Sequence, residues 1–170
     1  VLTANKFPIS KNVFIKGHED YKPLNKARSD EGRLWRSALP EFWEMLEKNK
    51  AAYPEYVNYV RFILFTAKRT QEALRPVVAD FNPKMKTLVI KEMKSRTPHT
   101  IYLSKQALEI IKEQTLGKRA DEKIFQISEG RTLLHQINKT LGRSGEFAYR
   151  PKDLRKAATS IARVHNIPTN

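Results

Sequence analysis

Residues 66–74 read TAKRTQEAL and directly follow a stretch with the pattern of a buried helix. That helix is expected to begin at Pro54, because proline suits the first turn and the apolar residues after it recur at helical spacing. Those apolar residues are Tyr56, Val57, Val60, Ile63 and Leu64. A short second helix is expected from Arg69 to Leu74, where the next proline stops it. Arg69 is therefore expected at a tight connection between two helices, with Glu72 one helical turn further along.

The remaining patterns predict a mostly α (α+β) fold with a small antiparallel sheet. Apolar residues recur at helical spacing over about residues 40–50, 104–117, 132–141 and 152–164. Strands are expected over 87–90 and 99–103, joined by a polar hairpin connection, and a turn is expected at Asn82-Pro83. Ser104 and Asp153 are expected to cap the helices that follow them or contain them.

The charge of the chain points to polyanions as partners. The chain contains 32 Lys and Arg against 18 Asp and Glu, which gives a net charge of +14. The basic residues are spread through periodic, foldable segments, so a folded surface that contacts nucleic acid is favoured over a disordered basic arm. An anionic membrane ranks second as a partner, and no apolar run is long enough to span a bilayer.

The sequence predicts neither a metal nor an organic cofactor. It has no cysteine, which excludes disulfides and thiolate metal sites and fits a reducing cytosol. The histidines outside the motifs described below, His18, His135 and His165, have no ligand-like spacing.

Composition divides the chain into two parts. Residues 1–33 contain Pro8, Pro23 and many Lys and Asn without a sustained period, so we expect an extended linker or strap there. The position of this segment implies that the natural protein continues upstream. Residues 34–170 have the length and apolar content of one compact domain.

Two further basic motifs accompany residues 66–74. Residues 93–104 read MKSRTPHTIYLS, and residues 150–156 read RPKDLRK. Phosphodiester exchange needs positive charge and hydrogen-bond donors fixed around the phosphorus. Arginine suits this task because its planar fork grips two phosphate oxygens and does not deprotonate. A lysine or histidine must also protonate the departing oxygen.

In order and spacing, the three motifs resemble the catalytic domain of the tyrosine recombinases, the phage integrase family. The second motif is similar to that of the P4-like integrase subgroup. Ala67 stands where the family usually has glycine, and Tyr102 replaces its usual proline. The resemblance covers about residues 35–168 and implies a helical, integrase-like fold. It also implies that residues 34–170 are a C-terminally incomplete catalytic domain, preceded by a DNA-binding domain.

The resemblance assigns roles to residues of the three motifs. Arg69 and Arg155 would grip the scissile phosphate, with Glu72 supporting Arg69. Lys94 would protonate the leaving 5′ oxygen. Lys152 stands at the usual histidine position and would donate a hydrogen bond to the phosphate, and whether it also transfers a proton stays open. Neighbouring basic residues expected to contact DNA are Lys68, Arg96, Arg150 and Lys156.

The implied activity is site-specific DNA recombination, in the integration or excision of a prophage or genomic island. Strands would be cleaved and rejoined through a 3′-phosphotyrosyl intermediate, without metal or ATP. The implied partners are a duplex DNA attachment site and sister protomers in a synaptic tetramer, in the cytoplasm and on the nucleoid. The family's nucleophile is expected beyond Asn170, so the chain should bind DNA without cleaving it. Tyr149 precedes Arg155 and is expected to pack or to contact DNA instead.

Two other interpretations need fewer assumptions. A non-catalytic basic DNA-binding module, such as a decayed integrase or an architectural factor, needs only the charge and the fold. In that case Arg69 and Glu72 form an ordinary helical ion pair, and Lys94 is a solvated hairpin lysine. An RNA-associated basic protein ranks last, because the sequence has no strand with the aromatic residues on which RNA bases stack.

Overall fold

The computed structural model describes residue 34 and residues 38–91, 98–127 and 131–164. Six helices lie in these ranges: α1 (Leu39–Lys48), α2 (Pro54–Thr66), α3 (Thr70–Ala73), α4 (Lys105–Thr115), α5 (Arg131–Thr140) and α6 (Pro151–Val164). Three strands lie there too: β1 (Phe81–Asn82), β2 (Thr87–Ile90) and β3 (His99–Tyr102). The expected mostly α fold with a small antiparallel sheet is confirmed. Residues 1–33, the expected strap, lie outside the described residues.

Helix α2 is the centre of the core. It is buried around much of its circumference, through Val57, Asn58, Tyr59, Val60, Phe62 and Ile63. It packs against α4 on one side and α6 on another. Complete burial of a large apolar side chain such as Phe62 contributes about 1.5–3 kcal/mol to stability. The helix therefore holds the residues at its C-terminal end in a fixed position.

The end of α2 reverses the chain sharply. Ala67 is in the left-handed conformation, with φ of 53°, and its N–H donates to the carbonyl of Ile63. Glycine usually occupies this conformation at a helix end because it has no Cβ, so Ala67 carries a steric cost here. Because of this turn, only three residues separate the end of α2 from the start of α3, and the last of them, Arg69, is the N-cap of α3.

The sheet has the order β1-β2-β3 and is antiparallel throughout. Strand β2 pairs Leu88 with Phe81 on one side and with Ile101 on the other. Strands β2 and β3 agree with the sequence pattern, whereas β1 was not expected. The predicted turn at Asn82 is present, since its side-chain oxygen accepts a hydrogen bond from the Met85 N–H at 3.0 Å.

Helix α4 packs against α2. Ser104 caps it, because its hydroxyl oxygen accepts from the Ala107 N–H at 3.3 Å, as the sequence predicted. Ala107, Ile110 and Ile111 are its buried residues. The connection after α4 is tied to the start of α2, where the Glu55 carboxylate accepts from the Gln126 N–H at 2.6 Å.

Candidate functional site

Arg155 meets the turn that precedes Arg69. Its Nε donates a hydrogen bond to the carbonyl oxygen of Ala67 at 2.9 Å, although the two residues lie 88 positions apart in the sequence. Arg155 is half-buried. No other described residue accepts a hydrogen bond from its guanidinium. The bond therefore fixes one edge of the fork and leaves the terminal nitrogens able to bind an anion.

Arg69 is fixed by a buried carboxylate. Its Nη1 donates to Glu72 Oε1 at 2.7 Å, and its backbone N–H donates to Glu72 Oε2 at 3.1 Å. The Glu72 side chain is 6% exposed, whereas that of Arg69 is 49% exposed. Glu72 thus holds the guanidinium from the protein side while the guanidinium remains accessible from solvent.

Glu72 is kept ionised by the arginines around it. Burial alone would raise the pKa of Glu72, but two hydrogen bonds from Arg69 and the charges of Arg69 and Arg155 lower that pKa below its usual value. The charge of Arg155 acts on this carboxylate together with that of Arg69, so the two guanidinium groups share one electrostatic environment. The arrangement of Arg69, Glu72 and Arg155 is the one that the predicted roles require, and the roles themselves stay predictions.

Lys68, the residue before Arg69, is buried near Glu72 and the two arginines. It is only 7% exposed, and burial lowers the pKa of its ammonium, an effect that Glu72 opposes and that Arg155 and Arg69 increase. Among the residues predicted to contact DNA, Arg150 and Lys156 are exposed, whereas Lys68 offers little surface. Arg96 lies outside the described residues, and so does Lys94, the predicted general acid.

The start of α6 presents Lys152 and Arg155. Asp153 is 1% exposed, and its Oδ2 accepts from the Arg150 N–H at 2.8 Å, which confirms the predicted cap. Leu154 is buried on the other face of the helix. Lys152 is exposed in the first turn, where backbone N–H groups also favour an anion. The structure thus brings Arg69, Glu72 and Arg155 together and places Lys152 one turn before Arg155 on the same helix.

The tyrosines in the described ranges differ widely in accessibility. Tyr59 is 1% exposed, and its hydroxyl donates to the Thr70 carbonyl at 3.0 Å. Tyr149 is 3% exposed, so the prediction that it packs is confirmed. Burial raises the pKa of Tyr59 and of Tyr149, which weakens both as nucleophiles. Tyr102 is 82% exposed on β3.

A groove of about 960 Å³ runs beside the arginine pair. Its wall is mainly apolar and includes Trp43, Phe65, Ile161 and Tyr102, with Lys68 also contributing. Neither Arg69 nor Arg155 is among the residues that line it. In the described residues, no cluster of three His, Cys, Asp or Glu side chains could hold a metal ion. None of the described helices is long and apolar enough to span a membrane.

Comparison with known proteins places the fold in context. The sequence pattern of the Phage integrase family matches residues 33–168. The fold is similar to that of the Tn1549 transposon integrase, solved in complex with transposon right end DNA, with a TM-score of 0.61 and 12% identity over 85% of this chain and 57% of that one. It is also similar to XerA recombinase, with a TM-score of 0.55 and 13% identity over 86% of this chain and 54% of that one. The chain thus spans little more than half the length of these two proteins, and a search of curated proteins gave no match.

Proposed function

The chain belongs to the phage integrase family, whose pattern spans residues 33–168, and we propose on this premise that it is the catalytic domain of a tyrosine recombinase. The proposed activity is site-specific recombination of duplex DNA, in the integration or excision of a prophage or genomic island. The observation that carries the proposal is the hydrogen bond from Arg155 to Ala67, because it brings the second arginine to the turn that positions the first.

In the proposed chemistry, two arginines stabilise negative charge on the phosphate and a lysine transfers a proton. A tyrosine hydroxyl loses its proton to solvent water as its oxygen attacks the scissile phosphorus, and Arg69 and Arg155 stabilise the charge that develops on the phosphate oxygens. The 5′ oxygen leaves and takes a proton from Lys94, while the 3′ phosphate stays bound to the tyrosine. Because the phosphodiester energy is retained in that bond, the religation step needs no nucleotide cofactor.

Glu72 and Lys152 have supporting roles in this proposal. Glu72 stays ionised; its Oε1 accepts from Nη1 and holds the Arg69 guanidinium, and its Oε2 accepts from the Arg69 backbone N–H and fixes the carboxylate. Lys152 is exposed in the first turn of α6 and donates to the phosphate as an ammonium group. Arg150 and Lys156 lie exposed on either side of it and contact the flanking DNA backbone.

No tyrosine of the described residues is assigned as the nucleophile. Tyr59 and Tyr149 are buried, with their hydroxyl pKa values raised, and Tyr53 and Tyr56 pack edge to edge against each other. Tyr102 is exposed on β3 and, like the other four, precedes Arg155 in the chain, whereas the family's nucleophile is expected after that arginine. We therefore propose that these 170 residues bind DNA without cleaving it. In the full-length protein, the partners are an attachment site and sister protomers in a synaptic tetramer.

The experiment that tests the proposal is trapping of a covalent protein–DNA adduct by the full-length protein on nicked attachment-site DNA. The adduct is expected in the wild type and lost in Arg69→Ala and Arg155→Ala. Arg150→Ala is the matched control, since this exposed arginine lies five residues before Arg155 and contacts neither Glu72 nor Ala67 through any described hydrogen bond. Equal loss of adduct in all three variants would contradict the assigned site.

The net charge of +14 favours one other candidate, a basic DNA-binding module without catalytic activity. It predicts that Arg69→Ala weakens DNA binding no more than replacement of an exposed lysine such as Lys112. It also predicts that no adduct forms under any condition.

A further inference from the structure

Asn138 holds the residue that leads into α6. This side chain is 8% exposed on α5. Its Nδ2 donates to the carbonyl oxygen of Tyr149 at 2.9 Å, and its Oδ1 accepts from the N–H of the same residue at 2.7 Å. Both hydrogen bonds are buried, so water does not compete with them. One side chain thus satisfies both backbone groups of Tyr149 and fixes its position and orientation.

Tyr149 is fixed by its ring as well. The ring packs edge-on against Phe42 of α1 with centroids 5.5 Å apart, and the Arg143 guanidinium lies over its face at 4.2 Å. Arg143 Nε also donates to the Phe147 carbonyl at 2.8 Å. The loop between α5 and α6 is therefore closed on itself around Tyr149.

Because Tyr149 is fixed, the start of α6, two residues later, is also fixed. The next residue, Arg150, is held by the Asp153 carboxylate, and Asp153 N–H donates back to the Arg150 carbonyl at 2.8 Å. Arg155 lies four residues after Pro151, which is about 6 Å along a helix axis. A shift of the helix start therefore moves the Arg155 guanidinium by a similar amount.

Apolar packing alone specifies the axial position of α6 weakly. The buried residues near its start are Leu154, Ala157 and Ala158, of which only the leucine has a large side chain. Small side chains interlock little with a facing helix, so they resist sliding less than bulky ones do. The polar clamp at Tyr149 restrains the start of α6, in addition to the hydrogen bond that Arg155 makes to Ala67 from further along the helix.

We infer that Asn138 is a positioning residue of the phosphate site, which it serves by holding Tyr149 and so fixing where α6 presents Lys152 and Arg155. This inference rests on the proposed function, because it takes Arg155 to bind the phosphate. Asn138 does not touch the substrate in this arrangement. It acts through the backbone of Tyr149 and the capped first turn of α6.

The test uses the 170-residue chain with inorganic tungstate as a probe for the scissile phosphate. Asn138→Asp keeps the acceptor for the Tyr149 N–H, removes the donor to the Tyr149 carbonyl, and barely changes volume. We expect its tungstate affinity, measured by calorimetry well below the melting temperature, to fall by about tenfold. The matched control is Asn58→Asp, since Asn58 is 1% exposed on α2 and contacts neither Tyr149 nor α6 through any described hydrogen bond.

Hydrogen exchange separates positioning from a general loss of stability. Amides of residues 152–156 should exchange faster in Asn138→Asp, while those of α4 stay unchanged. Ile111→Val, a buried change in α4, supplies a variant destabilised far from the loop and should keep its tungstate affinity.

The outcomes distinguish this inference from the function on which it rests. If the wild type fails to bind tungstate, the proposed phosphate site and the inference both fall. If the wild type binds and a folded Asn138→Asp variant binds equally well, the inference alone is overturned. Equal losses in Asn138→Asp and Ile111→Val also overturn it, because they show that stability and not position sets the affinity.

Discussion

Arg155 Nε and the carbonyl oxygen of Ala67, 2.9 Å apart, join the second turn of α6 to the end of α2. A carbonyl at the end of a helix lacks an intrahelical partner, so this bond satisfies the turn as well as orienting the guanidinium. Glu72 orients the other guanidinium, that of Arg69, which lies two residues after Ala67. Each guanidinium is thus held by a protein oxygen at one nitrogen, Nη1 in Arg69 and Nε in Arg155. The remaining nitrogens of both groups can donate to an anion.

Arg155→Lys should be nearly as damaging as Arg155→Ala. A lysine keeps the charge, but it has no fork with which to bond Ala67 and a phosphate at the same time. Loss of a fixed donor to a developing oxyanion costs about 100-fold or more in rate, so single-turnover cleavage by the full-length protein should fall by about that factor in both variants. If Arg155→Lys retained most of the rate, charge alone would suffice, and the Ala67 contact would have no role in catalysis.

Glu72→Gln should destabilise the protein in a way that depends on pH. The pKa of Glu72 is lowered on folding from the ordinary value of 4.5, so the folded protein binds fewer protons than the unfolded chain between the two values. The stabilisation by Glu72 is therefore complete above about pH 4.5 and is lost as pH falls through the lowered folded value. At pH 7 we expect a loss of about 1–3 kcal/mol.

Urea unfolding of the wild type and Glu72→Gln between pH 7 and pH 3 measures this. The difference in the free energy of unfolding should shrink as the pH falls. Glu109→Gln serves as control, because Glu109 is an exposed carboxylate on α4 and should give a difference near zero throughout. A difference for Glu72→Gln that stays constant with pH would mean that the carboxylate is not ionised in the way described.

Lys68→Met should stabilise the protein at neutral pH. Burial lowers the pKa of Lys68 from its ordinary 10.5, so the charged form is disfavoured in the folded state. The cost is complete below the folded pKa and is relieved as pH rises toward 10.5, where both states become neutral. Replacement by an apolar side chain of similar length removes this cost, so the free energy of unfolding should rise at pH 7. The gain should shrink at pH 10, whereas the exposed Lys156→Met should show neither effect.

Features that depend on neighbouring residues were predictable from the sequence, whereas contacts between distant residues were not. Helices α1, α2, α4, α5 and α6 are set by local apolar periods and caps, and their expected bounds agree with the structure within about two residues. Strand β1 was missed because it has only two residues, which pair with β2 and carry no period of their own. The motifs singled out both arginines as candidates, but the hydrogen bond from Arg155 to Ala67 spans 88 residues and is invisible to any local pattern.

Burial of polar residues was the harder feature to predict. Lys68 reads as one more basic residue in a basic motif, and only the folded structure shows that it is buried. Asn138 reads as an ordinary polar residue of an amphipathic helix, and its partner is a backbone 11 residues away across a loop. Its isolated position among the apolar residues Leu134, Ile137 and Leu141 was a weak signal that a buried polar contact was needed.

The salt dependence of DNA binding should separate exposed from buried basic residues. Each lysine or arginine that pairs with a phosphate releases counterions, so its removal lowers the slope of log affinity against log salt by about one. Arg150→Ala and Lys156→Ala should each show this decrease, because both side chains are exposed beside the α6 start. Lys68→Met should leave the slope unchanged, because the Lys68 residue is only 7% exposed and exchanges few counterions. Titration of a fluorescent duplex at several salt concentrations gives these slopes, with Lys112→Ala on α4 as a control for total charge. A slope that falls for Lys68→Met as much as for Arg150→Ala would show that Lys68 reaches the DNA after all.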